Sequence, residues 1–206
     1  MTAADGAGDR PQPPTVIAML GGPGSGKGTQ CTMLAQTFDI EHVSIGDLLR
    51  LERNSPGSKY GQIIRDNIAA GRLGAKEMTV DILGDHMKRS TAQGTRAFLI
   101  DGFPRDKDRC EYFEQLMGPI LFLIVLECPD DVMMERLTGS DRGRADDNPE
   151  NIKRRIEMFK KTTHGVVDIF RDRGRVRFVN SNQDVDSVRL EIEAILEGLV
   201  ERRSLF

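Results

Sequence analysis

Residues 21–29 read Gly-Gly-Pro-Gly-Ser-Gly-Lys-Gly-Thr, between a short apolar run at 15–20 and a helical pattern at about 26–38. A strand that ends at glycines and opens into a helix commits the chain to a crossover connection. The sheet it feeds is therefore parallel, with helices on its faces. The same residues carry a chemistry. Glycines let successive backbone N–H groups point inward at an anion, and the helix N-terminus adds its positive end. Lys27 can set an ammonium among phosphate oxygens. A turn that merely joined strand to helix would need neither the lysine nor the six-residue frame around it. One position departs from the usual phosphate loop. Gly28 follows the lysine, with Thr29 one place later, so no hydroxyl stands where it normally ligates magnesium directly.

The rest of the chain repeats the alternation. Residues 41–44 read as a second strand, and 97–100 and 120–126 are continuous apolar runs of the kind buried on both faces of a sheet. Residues 176–179 read as the last strand. Helices are expected at 46–53, 58–70, 76–89, 129–137, 149–173 and 184–202, with Pro56, Gly57 and Gly71 as punctuation. The fold class is α/β, about five parallel strands flanked by helices, in one domain over residues 15–206. Residues 138–148 are polar, carry Gly139, Arg142, Gly143 and Arg144, and show no apolar periodicity. They read as a short mobile lid over a charged ligand, or as a solvated loop. Residues 1–14, rich in Ala, Gly, Asp and Pro, read as a disordered tail with the character of neither a signal nor a transit peptide.

Composition excludes several function classes. At 206 residues the chain suits one domain with a full core and is short for two. No run approaches the roughly 18 apolar residues of a membrane span. A net charge of −3 argues against a nucleic-acid surface as the main function. Cys31, Cys110 and Cys128 are odd in number and lack CxxC spacing, so neither a disulfide framework nor a zinc cage is expected. A reducing, cytoplasmic setting fits best, the nucleus being the alternative, and a monomer is the default. His42, His86 and His164 stand singly and read as structural.

Four motifs then occur in order: Gly-Lys-Gly-Thr-Gln at 26–30, Ser-Ile-Gly-Asp-Leu-Leu-Arg at 44–50, Asp-Gly-Phe-Pro-Arg at 101–105, and Gly-Arg-Ala-Asp-Asp-Asn at 143–148 followed by Lys-Arg-Arg at 153–155. Together they make the chain resemble the nucleoside monophosphate kinases, the adenylate kinase and UMP-CMP kinase group, over residues 16–200. The resemblance implies a P-loop fold with a helical acceptor-binding insertion near 44–76 and a short lid near 138–148. It implies an ATP site formed by Gly22, Pro23, Gly24, Ser25, Gly26, Lys27, Gly28 and Thr29, with Arg136 against the base. The implied acceptor site is Ser44, Ile45, Arg50, Ile68, Gly102, Arg105, Arg109, Arg144 and Arg155. Catalysis would fall to Lys27, Asp101, Arg105, Arg144 and Arg155, with Mg2+ accompanying ATP and oriented by Asp101 through water. The chemistry agrees with these residue types. The acceptor phosphate is itself the nucleophile, so the protein supplies alignment and positive charge. Guanidinium groups grip phosphate oxygens bidentately. Asp146 and Asp147 are either solvated or restrain Arg144.

The base is read less directly. Glu-Arg-Asn-Ser-Pro-Gly-Ser-Lys-Tyr-Gly at 52–61 and Asp108 resemble the short-lid UMP-CMP kinases. Against this, the amide that normally reads the base edge is Arg109, which offers donors only. Ile45 replaces a small or hydroxyl residue, and Gly74-Ala75 replaces a Val-Pro pair. The expected acceptors are CMP, UMP and dCMP; the alternatives are AMP, as in an adenylate kinase, or a nucleotide-binding scaffold of weak activity. A GTPase-type switch would need an Asn-Lys-x-Asp motif, which is absent from the sequence.

Overall fold

The computed structural model describes residues 13–70, 72–139 and 149–203. Most of the expected tail and lid, including Arg142, Arg144, Asp146 and Asp147, lies outside the described residues.

Strand β1 (Thr15–Gly21) leads into helix α1 (Lys27–Thr37), then β2 (Glu41–Ser44), α2 (Ile45–Asn54), α3 (Gly61–Ala69) and α4 (Lys76–Ala92). The second half runs β3 (Ala97–Asp101), α5 (Lys107–Met117), β4 (Phe122–Glu127), α6 (Asp130–Thr138), α7 (Pro149–Asp172), β5 (Val176–Asn180) and α8 (Val185–Arg203). The sheet order is β2-β3-β1-β4-β5, and every pairing is parallel. The α/β expectation of about five parallel strands therefore holds.

Alternation along β1 divides the core. Val16, Ala18 and Leu20 point to one face, where they meet residues of α2, α4, α5 and α7, among them Val80, Phe113 and Phe170. Ile17 and Met19 point to the other face, against Cys31 and Leu34 of α1 and Val188, Ile192 and Leu196 of α8. A third cluster of Met133, Leu137, Ile152 and Ile156 joins α6 to α7. Among the described residues no helix is long and apolar enough to cross a membrane.

The topology places the site. Chain order reverses at β1, which pairs with β3 on one side and β4 on the other. Ligands of open parallel sheets bind outside the carboxyl ends of strands at such a switch point. Register sets Met19 opposite Asp101 and Ser44 opposite Asp101, so the loop after β1, the end of β3 and the start of α2 emerge along one edge.

Two elements differ from the sequence reading. No helix is expected between 100 and 120, yet α5 occupies much of that interval. Its buried apolar stripe is narrow, Cys110 and Phe113, in a run that is charged or polar apart from Tyr112, Leu116 and Met117. The usable signals were the i,i+3 apolar pair and the Asp106 cap, whose side chain accepts from the Arg109 backbone N–H at 2.8 Å. Helix α3 begins at Gly61 rather than residue 58. There the Ser58 hydroxyl is committed to a turn, donating to Glu52 Oε1 at 2.5 Å and accepting from the Tyr60 backbone N–H at 3.1 Å.

Candidate active site

Lys27 stands at the first position of α1, behind Gly26, whose φ of 91° suits a residue without a Cβ. Its ammonium donates to the carbonyls of Gly21 and Gly22, both at 2.8 Å. The loop thus curls around its own lysine, at the place where phosphate oxygens would replace those carbonyls. Gly22 and Gly24 are packed rather than merely flexible. A Cβ on Gly22 would lie 2.2 Å from Met133 Sδ, and one on Gly24, with φ of 83°, 2.6 Å from the Met133 carbonyl oxygen. Helix α6 therefore sets how close the phosphate loop rests to the nucleotide-facing side. Burial lowers the Lys27 pKa to about 8; Asp101 pulls it up, while Arg105 and Arg155 push it further down.

Asp101 ends β3 facing this lysine. Burial alone would raise its carboxyl, but His42, Lys27 and Arg105 outweigh that and hold it below the usual carboxylate range. Its Oδ2 lies 3.7 Å from where a Gly28 side chain would begin, so the glycine after Lys27 leaves room for the carboxylate. His42 Nε2 is 3.8 Å from Asp101, and Cys31, His42 and Asp101 bring their polar atoms within 4.8 Å of one another. His42 was expected to be structural, and the structure instead puts it at the site, because register carries β2 alongside β3. Burial raises the Cys31 thiol well above its usual value, which fits the expectation of an unreactive cysteine.

On the other side stand the arginines. Arg105 Nε donates to the Gly102 carbonyl at 2.7 Å, folding the side chain back toward the end of β3. Burial lowers its pKa and Asp101 raises it, but a guanidinium stays charged throughout the working range. Arg50 pairs with Asp47 at 2.5 Å on α2, whose N-cap is the Ser44 hydroxyl accepting from the Asp47 backbone N–H at 3.3 Å. Arg109 is only 8% exposed. Its guanidinium donates to the Asp106 carboxylate and to the Gly74 carbonyl.

These groups line one cavity of about 630 Å³ that also takes in Ser44, Ile45, Ile68, Gly102 and Arg155. Six cationic side chains, Lys27, Arg50, Arg72, Arg105, Arg109 and Arg155, face it against the carboxylates of Asp47 and Asp101. On a chain of net charge −3, that concentration selects an anion. A smaller cavity of about 230 Å³ shares Gly24, Gly26 and Thr29 with the first and is lined by Ser25, Arg136, Ser181, Gln183 and Val185. Arg136 lines this smaller cavity beside the phosphate loop, with partners the sequence did not suggest. Ser181, Gln183 and Val185 follow β5, and the Gln30 side chain, donating to the Val185 carbonyl at 2.9 Å, ties that segment to α1. Asp108 is exposed and does not line the large cavity; Asp106, two residues earlier, turns inward instead. Arg144 lies outside the described residues.

Comparison with known proteins agrees with this geometry. The adenylate kinase family model matches residues 19–175. A uridylate kinase of Schizosaccharomyces pombe is 44% identical over 176 residues, which cover 84% of this chain and 92% of that one. A UMP-CMP kinase of Xenopus laevis is 37% identical, covering 89% of this chain and 99% of its own. A uridylate kinase of Saccharomyces cerevisiae is 38% identical, covering 92% and 94%.

Proposed function

This chain belongs to the adenylate kinase family, and from that premise we propose that it transfers the γ-phosphoryl group of ATP to CMP or UMP, and to dCMP. The products are the nucleoside diphosphate and ADP. The observation that carries the reading is the single cavity in which the phosphate loop and Lys27 face Arg50, Arg105 and Arg155 across Asp101. That is the arrangement a two-nucleotide phosphoryl transfer requires.

In this reading the loop N–H groups hold the ATP phosphates, and Lys27 leaves the Gly21 and Gly22 carbonyls to bridge the β- and γ-phosphates. Arg50 and Arg105 fix the acceptor phosphate so that its oxygen attacks in line. Arg155 faces the transferring group, where charge develops on the equatorial oxygens. Arg144 is assigned a similar role by its motif alone. Arg136 packs against the ATP base in the smaller cavity, with Ser181 and Gln183 at its rim. A hydrated magnesium ion suits Asp101: the carboxylate is ionised, faces the phosphate loop and is given space by Gly28. Bound there with ATP, the ion would neutralise charge on the phosphates.

The acceptor preference rests on the names of the relatives and on pocket size. Ile45 is 4% exposed, and its Cγ2 lies 3.6 Å from the point where a Gly102 side chain would begin. A branched side chain wedged there favours a single ring over a purine. A coupled ADP-release assay with ATP and AMP, CMP, UMP, dCMP or GMP tests the proposal. The pyrimidine monophosphates should show the highest kcat/KM. AMP ahead by tenfold would sink the pyrimidine assignment, and no turnover with any acceptor would leave a binding scaffold.

A further inference from the structure

We propose that Asn67 on α3 is a specificity-determining residue for the acceptor base, supplying the amide that position 109 lacks; this rests on the pyrimidine reading above. Two of the departures seen in the sequence, Gly74 and Arg109, are parts of one arrangement in the structure. Arg109 donates to the Gly74 carbonyl and to Asp106, which anchors a donors-only side chain at the cavity floor. A side chain at Gly74 would have to displace its neighbours. A Cβ there would lie 2.4 Å from Met78 Cε and 3.1 Å from the Asn67 side-chain amide. The space a valine would fill is taken by Met78 and by that amide.

Asn67 is therefore brought to the part of the cavity lining where Arg109 donates to the Gly74 carbonyl. Its backbone carbonyl accepts from the Arg72 N–H at 2.9 Å, which secures the last turn of α3 against the loop leading to Gly74. Among the described residues, no hydrogen bond engages its side-chain amide, and the side chain is half-buried in the cavity lining. Ile64 and Ile68 stand beside it on the same helix and offer apolar contact to a ring.

The chemistry of pyrimidines calls for such a group. Uracil presents carbonyl acceptors on either side of an N–H donor, whereas cytosine presents an acceptor nitrogen next to an amine donor. A guanidinium can answer only the carbonyls. A carboxamide answers both bases, because turning it end for end exchanges donor and acceptor. Asn67 reads the donor–acceptor pair while Arg109, held by Gly74 and Asp106, donates to a ring carbonyl. Both bases keep a ring carbonyl for Arg109, so the pair of residues accepts UMP and CMP alike.

The test is steady-state kinetics with UMP, CMP and AMP for wild type, Asn67→Leu and Gly74→Val. Asn67→Leu keeps the volume and removes both hydrogen-bonding functions. Its kcat/KM for UMP and CMP should fall roughly 10- to 200-fold, mainly through the acceptor KM. ATP affinity by titration and the melting temperature should stay unchanged. Gly74→Val leaves Asn67 in the chain but drives its amide off the floor, and should reproduce the loss in direction. Retention of pyrimidine kcat/KM within twofold in Asn67→Leu would overturn the assignment of Asn67 alone. A wild-type preference for AMP would overturn the pyrimidine reading and this inference with it, and would be visible before any variant is made.

Discussion

Raising the pH through the Lys27 pKa should switch off ATP use in the free enzyme. Burial holds that ammonium at about pKa 8, against 10.5 for an ordinary lysine. The alkaline limb of kcat/KM for ATP reports a group of the free enzyme, so it should begin near pH 8 and descend with pH. At pH 9 only about a tenth of the molecules would keep the charge, a roughly tenfold fall. CMP, held below saturation so that the free enzyme is the form observed, is the acceptor of choice, because its base loses no proton there and the phosphates are already fully ionised. Lys27→Arg carries a guanidinium that stays charged, and whatever its absolute rate, its limb near pH 8 should vanish. Stability moves with the same proton. The unfolded chain binds it up to about pH 10.5 and the folded chain only to about pH 8, so folding is penalised below pH 8 and relieved as pH rises through this window. Relative to Lys27→Met, the nucleotide-free wild type should gain up to about 2.5 kcal/mol between pH 7 and 10, an upper figure since Lys27 keeps some contact with solvent. Urea unfolding at the two pH values measures it. A flat kcat/KM to pH 9.5, or an unchanged limb in Lys27→Arg, would refute the reasoning.

Arg105→Ala and Arg50→Ala should each lower kcat/KM for the monophosphate by about 100-fold or more, the scale of losing one electrostatic donor, with ATP affinity held within threefold. Equilibrium titration showing ATP binding weakened and monophosphate binding kept would reverse the two sides. Phe113→Ala removes a ring that is 0% exposed and meets Phe103 edge to face at 5.3 Å, so it should cost about 3–5 kcal/mol in urea unfolding. A loss under 1 kcal/mol would mean that the core between α5 and the sheet is not close-packed.

The first motif, the alternation of apolar runs with helical patterns and the four spaced motifs were enough to reach an α/β parallel sheet and a phosphoryl-transfer site. Those signals are local. A glycine loop between strand and helix carries its anion chemistry whatever surrounds it, and a continuous apolar run is a buried strand because no other setting hides both its faces. What remained hidden was set by neighbours distant in sequence. Helix α5 escaped notice because only Cys110 and Phe113 on it are apolar and buried, a stripe that gains meaning once α4 and α7 supply the other side. His42 looked solitary until parallel pairing laid β2 beside β3 and brought it to Asp101. Asp108 lies on the outward side of the first turn of α5, while the cap Asp106 and Arg109, three residues on, turn inward together.

Residue type and spacing alone marked a phosphate-binding loop, and the resemblance of the four motifs to the nucleoside monophosphate kinases implied transfer between two nucleotides. Which base the acceptor carries was decided by packing. Gly74 and Arg109 are single departures in the sequence, and only the fold shows that Arg109 donates to the Gly74 carbonyl while the Asn67 amide borders the same glycine from a third element. Phosphate binding is written in contiguous backbone, whereas base recognition is assembled across α3, the loop before α4 and α5, and the distances among those exist only after the chain has folded.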